Sequence, residues 1–166
     1  MTSQVQPEVV RVYDAEVDPL CEAIVVQCSD PRLQRAFREF CADELGLAAG
    51  DFMPLVVSGG AAVLAHPERL PKEFKFMRDR LEFYRAIMPS LRRVILITHE
   101  GCRYSRALKK RVIGARSAPQ EVGHEDLRVV RAALASTLER LELKPELFYA
   151  RFTGADGAQV SFERVT

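Results

Sequence analysis

The segment RRVILITHEG, residues 92–101, contains an apolar run that ends abruptly in polar residues and a glycine. Both alternating sets of side chains in this run are apolar, so a strand built from it has to be buried on both faces. Such strands are typical of the centre of a parallel sheet, where helices cover both faces. The segment therefore predicts a fold of the α/β class.

Two earlier segments repeat this pattern of a strand followed by a turn. EAIVVQCSD predicts a strand over Ala23–Gln27, because Ser29, Asp30 and Pro31 stop its run of β-branched residues. DFMPLVVSGG predicts a second strand that ends at a pair of glycines. Apolar residues at helical spacing predict helices between the strands and after them. The predicted helices cover residues 31–46, Phe74–Met88, Tyr104–Val112 and Asp126–Leu143.

The last twenty residues alternate between apolar and polar side chains around a turn that contains Gly154 and Gly157. This pattern predicts a C-terminal hairpin or an antiparallel edge strand. Strands that alternate with helices indicate a mostly parallel sheet with helices on both faces. We therefore predict a three-layer, Rossmann-like arrangement, and a chain of 166 residues with 48% apolar content is the right size for one domain.

The charges of the chain nearly cancel, leaving a formal net charge of +1. A protein without a strong basic field has no general means of attracting nucleic acid or anionic lipid, so we expect neither as a partner. A small-molecule substrate is the more natural expectation. The first twenty residues carry acidic side chains and no continuous apolar stretch, which predicts a cytoplasmic protein.

Three side chains able to bind a metal follow two of the predicted strands. Cys28 comes at the end of the first strand, and His99 and Cys102 come at the end of the third. The carboxyl ends of neighbouring parallel strands meet at one crevice. Two thiolates and one imidazole suit zinc, whose fourth position then stays open, and Gly101 gives the loop the freedom to fold back. The alternative is that these are packed or hydrogen-bonded residues at strand ends.

Asp30 and Arg32 lie immediately beyond Cys28. Asp30 suits the position before a helix, and Arg32 suits an exposed helical site, so both have an ordinary structural explanation. A carboxylate that a guanidinium keeps ionised could also accept a hydrogen bond from a water molecule beside the metal. The two roles are compatible.

Other residues of these chemical types have simpler explanations. Cys21 and Cys41 are predicted to be buried apolar residues, because Cys41 shares a helical face with Phe37. His66 and His124 are predicted to have surface or capping roles.

The motif C-x-D-x-R, here Cys28, Asp30 and Arg32, followed by a glycine pair and by H-x-x-C, here His99 and Cys102, resembles the β-class carbonic anhydrases. The resemblance covers the chain from about Ala23 to Arg106. It implies that the two cysteines and the histidine bind zinc and that Asp30 and Arg32 orient or gate the fourth ligand. The implied reaction is the interconversion of carbon dioxide and bicarbonate by a zinc-bound hydroxide.

The resemblance also implies a homodimer or higher homo-oligomer. Residues 1–18 would form an N-terminal arm that packs on the partner subunit, and residues 19–166 would form a single zinc-binding domain. Arg103 stands where the family usually has glycine, which predicts a reshaped loop or an added positive charge. Two alternatives stay open: a carbonyl sulfide or carbon disulfide hydrolase that uses the same zinc site, and a non-catalytic zinc-binding module.

Overall fold

The computed structural model describes residues 11, 13–15, 20–108, 110 and 123–166. Most of the predicted arm, residues 1–18, lies outside the described residues, so its packing on a partner stays a prediction. The end of the helix predicted over Tyr104–Val112 also lies outside them.

The described residues form five strands, four α-helices and one 3₁₀ helix, which spans Gly60–Ala65. The strands are β1 (Ala23–Cys28), β2 (Phe52–Val57), β3 (Arg93–His99), β4 (Lys144–Thr153) and β5 (Gln159–Val165). The helices are α1 (Gln34–Asp43), α2 (Pro71–Ile87), α3 (Arg103–Leu108) and α4 (His124–Arg140).

The five strands join one sheet in the order β2-β1-β3-β4-β5. Pairing is parallel between β2 and β1, between β1 and β3, and between β3 and β4, and only the β4–β5 pair among these strands is antiparallel. The predicted α/β class, the mostly parallel sheet and the C-terminal hairpin are therefore confirmed. The chain runs from β1 outward to β2 and then crosses to the other side of β1, so the strand order reverses between β1 and β3. Ligand sites of open parallel sheets lie at such a reversal.

Each face of the sheet has its own core. Side chains of β1 and β3 alternate between the two cores: Val25 and Ile95 pack with α1 on one face, and Val26 and Leu96 pack with the 3₁₀ helix, α2 and α4 on the other. This arrangement accounts for the apolar residues on both sides of these strands and confirms the three-layer arrangement.

The main difference from the predicted elements concerns the start of α1. The helix begins at Gln34, three residues after Pro31, because the intervening residues form a turn in which the Leu33 N–H donates to the Asp30 carbonyl. The side chain of Asp30 is therefore not used to cap the helix and is available for other contacts.

None of the helices in the described part of the chain has the length and apolar character needed to cross a bilayer.

Candidate metal centre

Cys28, His99 and Cys102 converge at the reversal of strand order. Cys28 is the last residue of β1 and His99 the last residue of β3, and these strands are neighbours. Cys102 lies in the short loop after β3. One ligand atom from each residue lies within 4.8 Å of the other two, and all three residues are buried. No other group of three such side chains in the described ranges of the chain is as compact.

Two glycines allow this convergence. Gly101 has a φ of +62°, a left-handed conformation that glycine adopts readily, and it lies in the turn where the sequence predicted a need for backbone freedom. Gly60 lets the chain after β2 approach the site closely. Any other residue would place a Cβ atom 2.6 Å from the Ile97 carbonyl oxygen and 3.0 Å from the Cys28 nitrogen. The glycine pair predicted at the end of the second strand therefore lies in a turn beside Cys28.

The His99 ring is held in one orientation. Its Nδ1 lies 2.8 Å from the carbonyl oxygen of Glu100, and since a carbonyl only accepts, Nδ1 carries the proton. Nε2 then presents a lone pair. This atom is buried and has no hydrogen-bond partner, which is costly for a polar atom unless a ligand occupies its lone pair.

The two sulfur atoms are 3.9 Å apart, well beyond the length of a disulfide, and both cysteines are free. The backbone N–H of Gly59 donates to Cys28 Sγ at 3.3 Å, and that of Ser105 donates to Cys102 Sγ at 3.5 Å. Both contacts favour the thiolate forms.

A hydrogen bond joins the two sulfurs, and either sulfur can be its donor. The hydrogen bond from Cys28, with a further contribution from Ser105, lowers the pKa of Cys102 well below its ordinary value. The same hydrogen bond, together with burial, raises the pKa of Cys28. Two sulfurs and a buried imidazole lone pair face one another, a donor set that fits a thiophilic cation such as zinc.

Asp30 and Arg32 form an ion pair beside this cluster. Arg32 Nη2 lies 2.6 Å from Asp30 Oδ2, its Nε lies 3.0 Å from Oδ1, and its backbone N–H also donates to Oδ1 at 3.0 Å. The bonds from the guanidinium lower the pKa of Asp30 to about 2, so the carboxylate is ionised at neutral pH. The geometry therefore turns Asp30 toward Arg32 and leaves it outside the three-ligand cluster.

A cleft of about 370 Å³ opens above these groups. Its walls include both cysteines of the cluster, the Asp30–Arg32 pair and Arg103. Arg103 is exposed and is the first residue of α3. It therefore adds a second guanidinium to the cleft, which is one of the two effects predicted for it.

The remaining cysteines and histidines lie apart from the cluster. Cys21 and Cys41 are buried, as predicted, and burial raises the pKa of Cys41 to about 11. His124 is the first residue of α4, it is half-buried, and its Nε2 lies 2.6 Å from Glu163 Oε2. His66 follows the 3₁₀ helix, and it is half-buried.

Two residues next to the site were not predicted from the sequence. Glu100 provides the carbonyl that orients His99, and Phe152 of β4 places its ring against both Arg32 and His99. The position of Glu100 directly after His99 was the available signal. Phe152 gave no signal, because its contacts depend on how β4 pairs with β3.

Comparison with known proteins finds similarity in structure only. No protein-family model and no curated protein matches the chain. Among solved structures, the chain is similar to β-carbonic anhydrase isoform I of the protozoan Trichomonas vaginalis, with a TM-score of 0.50, 13% identity, and coverage of 92% of this chain and 87% of that one.

Two further solved structures are fungal. One is the β-carbonic anhydrase CafA of Aspergillus fumigatus, with a TM-score of 0.47, 15% identity, and coverage of 88% of this chain and 76% of that one. The other comes from two tetrameric β-carbonic anhydrases of Sordaria macrospora, with a TM-score of 0.39, 13% identity, and coverage of 89% and 82%. The match to the Trichomonas enzyme shows that the chain has a fold like that of the β-carbonic anhydrases. At 13% identity the likeness extends to the fold alone.

Proposed function

We propose that this protein is a zinc-dependent enzyme that interconverts carbon dioxide and bicarbonate, with Cys28, His99 and Cys102 as the zinc ligands. One observation carries the proposal: three donor atoms from two strand ends lie within 4.8 Å of one another, and the two cysteines among these residues line a cleft. Two thiolates and one imidazole with an open fourth position form the ligand pattern of a catalytic zinc site rather than a closed structural one.

A zinc ion held by these residues would act as a Lewis acid. It would lower the pKa of a bound water molecule toward neutrality and so make a nucleophile available. The protein prepares the site in two ways. The Gly59 and Ser105 N–H groups stabilise negative charge on the two sulfurs. The Glu100 carbonyl keeps the proton of His99 on Nδ1, so Nε2 is ready to bind without a change of tautomer.

Asp30 and Arg32 orient the reacting water in this proposal. An ionised Asp30 accepts a hydrogen bond and directs the lone pair of the donor oxygen toward the carbon of the substrate. Arg32 keeps this carboxylate ionised and fixes its plane through bonds to both oxygens. The guanidinium groups of Arg32 and Arg103 also favour the negative charge of bicarbonate in the cleft.

Metal analysis and a stopped-flow assay of carbon dioxide hydration test the proposal together. We expect one zinc per chain and hydration that is lost when a chelator removes the metal. Sulfide release from carbonyl sulfide or carbon disulfide, with no hydration of carbon dioxide, would assign the other substrates to the same site. Bound zinc without turnover of any of these substrates would indicate a non-catalytic zinc module.

The same proposal includes a homodimer or higher homo-oligomer of a single domain, residues 19–166, located in the cytoplasm. Phe76, Phe83 and Ile87 support an oligomer, because these large apolar side chains of α2 are about half exposed. Light scattering coupled to size-exclusion chromatography tests it. A mass of 18.7 kDa, that of one chain, would contradict the oligomer.

A further inference from the structure

We infer that Phe152 is a positioning residue, whose single aromatic ring aligns the Arg32 guanidinium and the His99 imidazole. The geometric part of this inference concerns the protein alone. Its consequence for turnover rests on the proposed function.

The ring of Phe152 contacts both groups at once. Arg32 Cζ lies over the ring, 4.7 Å from its centroid. The His99 ring centroid lies 6.5 Å away with the two ring planes at 89°, an edge-on arrangement. The negative face of an aromatic ring attracts a guanidinium, and edge-on pairing is a favoured geometry for two rings. One side chain therefore joins the ion pair to the proposed metal ligand.

Arg32 needs such a second contact. Its side chain is 46% exposed, so water and alternative rotamers compete for the guanidinium. The bonds to Asp30 hold the guanidinium along one edge, and the Phe152 ring covers its face. Because the Arg32 guanidinium is held along its edge and on its face, its plane is fixed. Its bonds to both Asp30 oxygens then fix the plane of that carboxylate.

Phe152 is itself held by the residue that orients His99. Its backbone N–H donates to Glu100 Oε2 at 3.1 Å, while the backbone carbonyl of Glu100 accepts the proton of His99 Nδ1. Arg151 Nη1 lies 3.6 Å from the other Glu100 oxygen. Glu100 therefore ties the end of β3 to the end of β4, which fixes the distance between the His99 and Phe152 rings.

The full-length protein, labelled with nitrogen-15, provides a test that does not depend on activity. The ring current of Phe152 should shift the Nε–H resonance of Arg32, which is assigned by its disappearance in Arg32→Lys. In Phe152→Leu we expect this shift to be lost and the exchange of the Nε proton with water to become at least severalfold faster. Phe152→Tyr keeps the ring and should restore both properties.

Phe162→Leu is the matched control. Phe162 is also half-buried on this face of the sheet, but it stacks on Phe40, with ring centroids 4.0 Å apart. We expect the Arg32 resonance to be unchanged in this variant. An Arg32 resonance that is the same in Phe152→Leu as in the parent protein would overturn the inference. If Phe152→Leu does not fold, the same resonance in Phe152→Met decides.

Kinetics of the zinc-loaded protein test the consequence for catalysis. We expect Phe152→Leu to retain its zinc and to lose roughly two- to tenfold in kcat for carbon dioxide hydration, with a smaller change in KM. An unchanged kcat with a shifted Arg32 resonance would overturn the catalytic consequence. If the parent protein hydrates no carbon dioxide, the proposed function fails, and the resonance of Arg32 still decides whether Phe152 positions it.

Discussion

The two ends of β3 differ in how their polar side chains are satisfied. At the amino end, Arg93 donates to Glu146 Oε1 at 2.7 Å, to Glu22 Oε1 at 2.8 Å and to the Leu45 carbonyl at 3.2 Å. At the carboxyl end, six residues later along the strand, His99 Nε2 is buried and has no hydrogen-bond partner.

This difference separates a structural polar site from one suited to a ligand. The charge of Arg93 is matched by carboxylates of the chain, so this end needs nothing from solution. The lone pair of His99 and the sulfurs of two cysteines face one another, and no hydrogen-bond donor of the chain occupies that lone pair. We therefore expect substitutions at the carboxyl end to change metal binding and activity, and substitutions at the amino end to change stability.

The largest expected effect comes from removing a sulfur at the carboxyl end. Cys28→Ala should weaken zinc binding by more than about a hundredfold, because loss of even an outer partner of a metal ligand costs roughly 10–100-fold. Competition with a chromogenic chelator measures the affinity. Cys41→Ala is the control, since this thiol belongs to α1, is packed in the core on one face of the sheet, and should leave the affinity unchanged. Parent-like affinity in Cys28→Ala would remove the distinction between the two ends.

Asp30→Asn tests the ion pair beside the same end. The amide cannot carry the negative charge that Arg32 stabilises, so kcat/KM for carbon dioxide hydration should fall about a hundredfold with zinc content unchanged. Steady-state stopped-flow assays measure this ratio. Asp79→Asn removes an exposed carboxylate that pairs with Lys75 on α2, and it should leave kcat/KM as it is. Equal activity of the two variants would exclude Asp30 from the mechanism.

Gly60→Ala sharpens the comparison, because it disturbs the carboxyl end through packing. Gly60 has a φ of +55°, and the Cβ atom of an alanine there would lie 2.6 Å from the Ile97 carbonyl oxygen. We therefore expect a loss of about 3 kcal/mol in the free energy of unfolding. Gly46→Ala is the matched control. Gly46 has a φ of +67° with nothing within 4 Å of the added atom, so only about 1 kcal/mol should be lost.

Urea unfolding of the two glycine variants measures both losses. Equal losses would mean that the close approach to β3 is not what requires glycine at position 60.

The smallest effect is expected at the amino end, from Glu146→Gln. Burial raises the pKa of Glu146, but hydrogen bonds and charge from Arg93 and Arg164 outweigh this effect and lower it overall. A lowered pKa in the folded state stabilises the protein above the unfolded pKa of about 4.3, and this stabilisation is lost as the pH falls through the folded value.

Glu146→Gln should therefore cost about 1 kcal/mol near neutral pH, and the difference from the parent should shrink in acid. Urea unfolding across this pH range checks the prediction, with carbon dioxide hydration expected to stay at the parent level. A loss of zinc or of activity in this variant would show that the two ends of β3 are not independent.

The sequence predicted the parts of this site that depend on strand ends. Cys28 and His99 end apolar runs that can only be buried strands, and parallel strands bring their carboxyl ends together, so the meeting of these residues follows from the pattern. The turn at Gly101 was predictable for a similar reason, because only two residues separate His99 from Cys102 and the chain has to fold back between them.

The rest depends on information that local sequence does not contain. The helix α1 begins at Gln34 because residues 30–33 form a separate turn. The same residues could equally have formed the first turn of the helix, so the local sequence does not decide between the two. The orientation of His99 depends on a carbonyl, which any residue at position 100 could offer. Phe152 approaches Arg32 only because β4 pairs with β3 in one register, which places Ala150 opposite His99.

The most direct test of the central claim is X-ray absorption at the zinc edge of the purified protein. The account predicts one zinc per chain, bound by two sulfur atoms at about 2.3 Å and by a nitrogen at about 2.0–2.1 Å, with one further light atom. A chain without bound zinc, or a zinc whose nearest shell contains no sulfur, would contradict it.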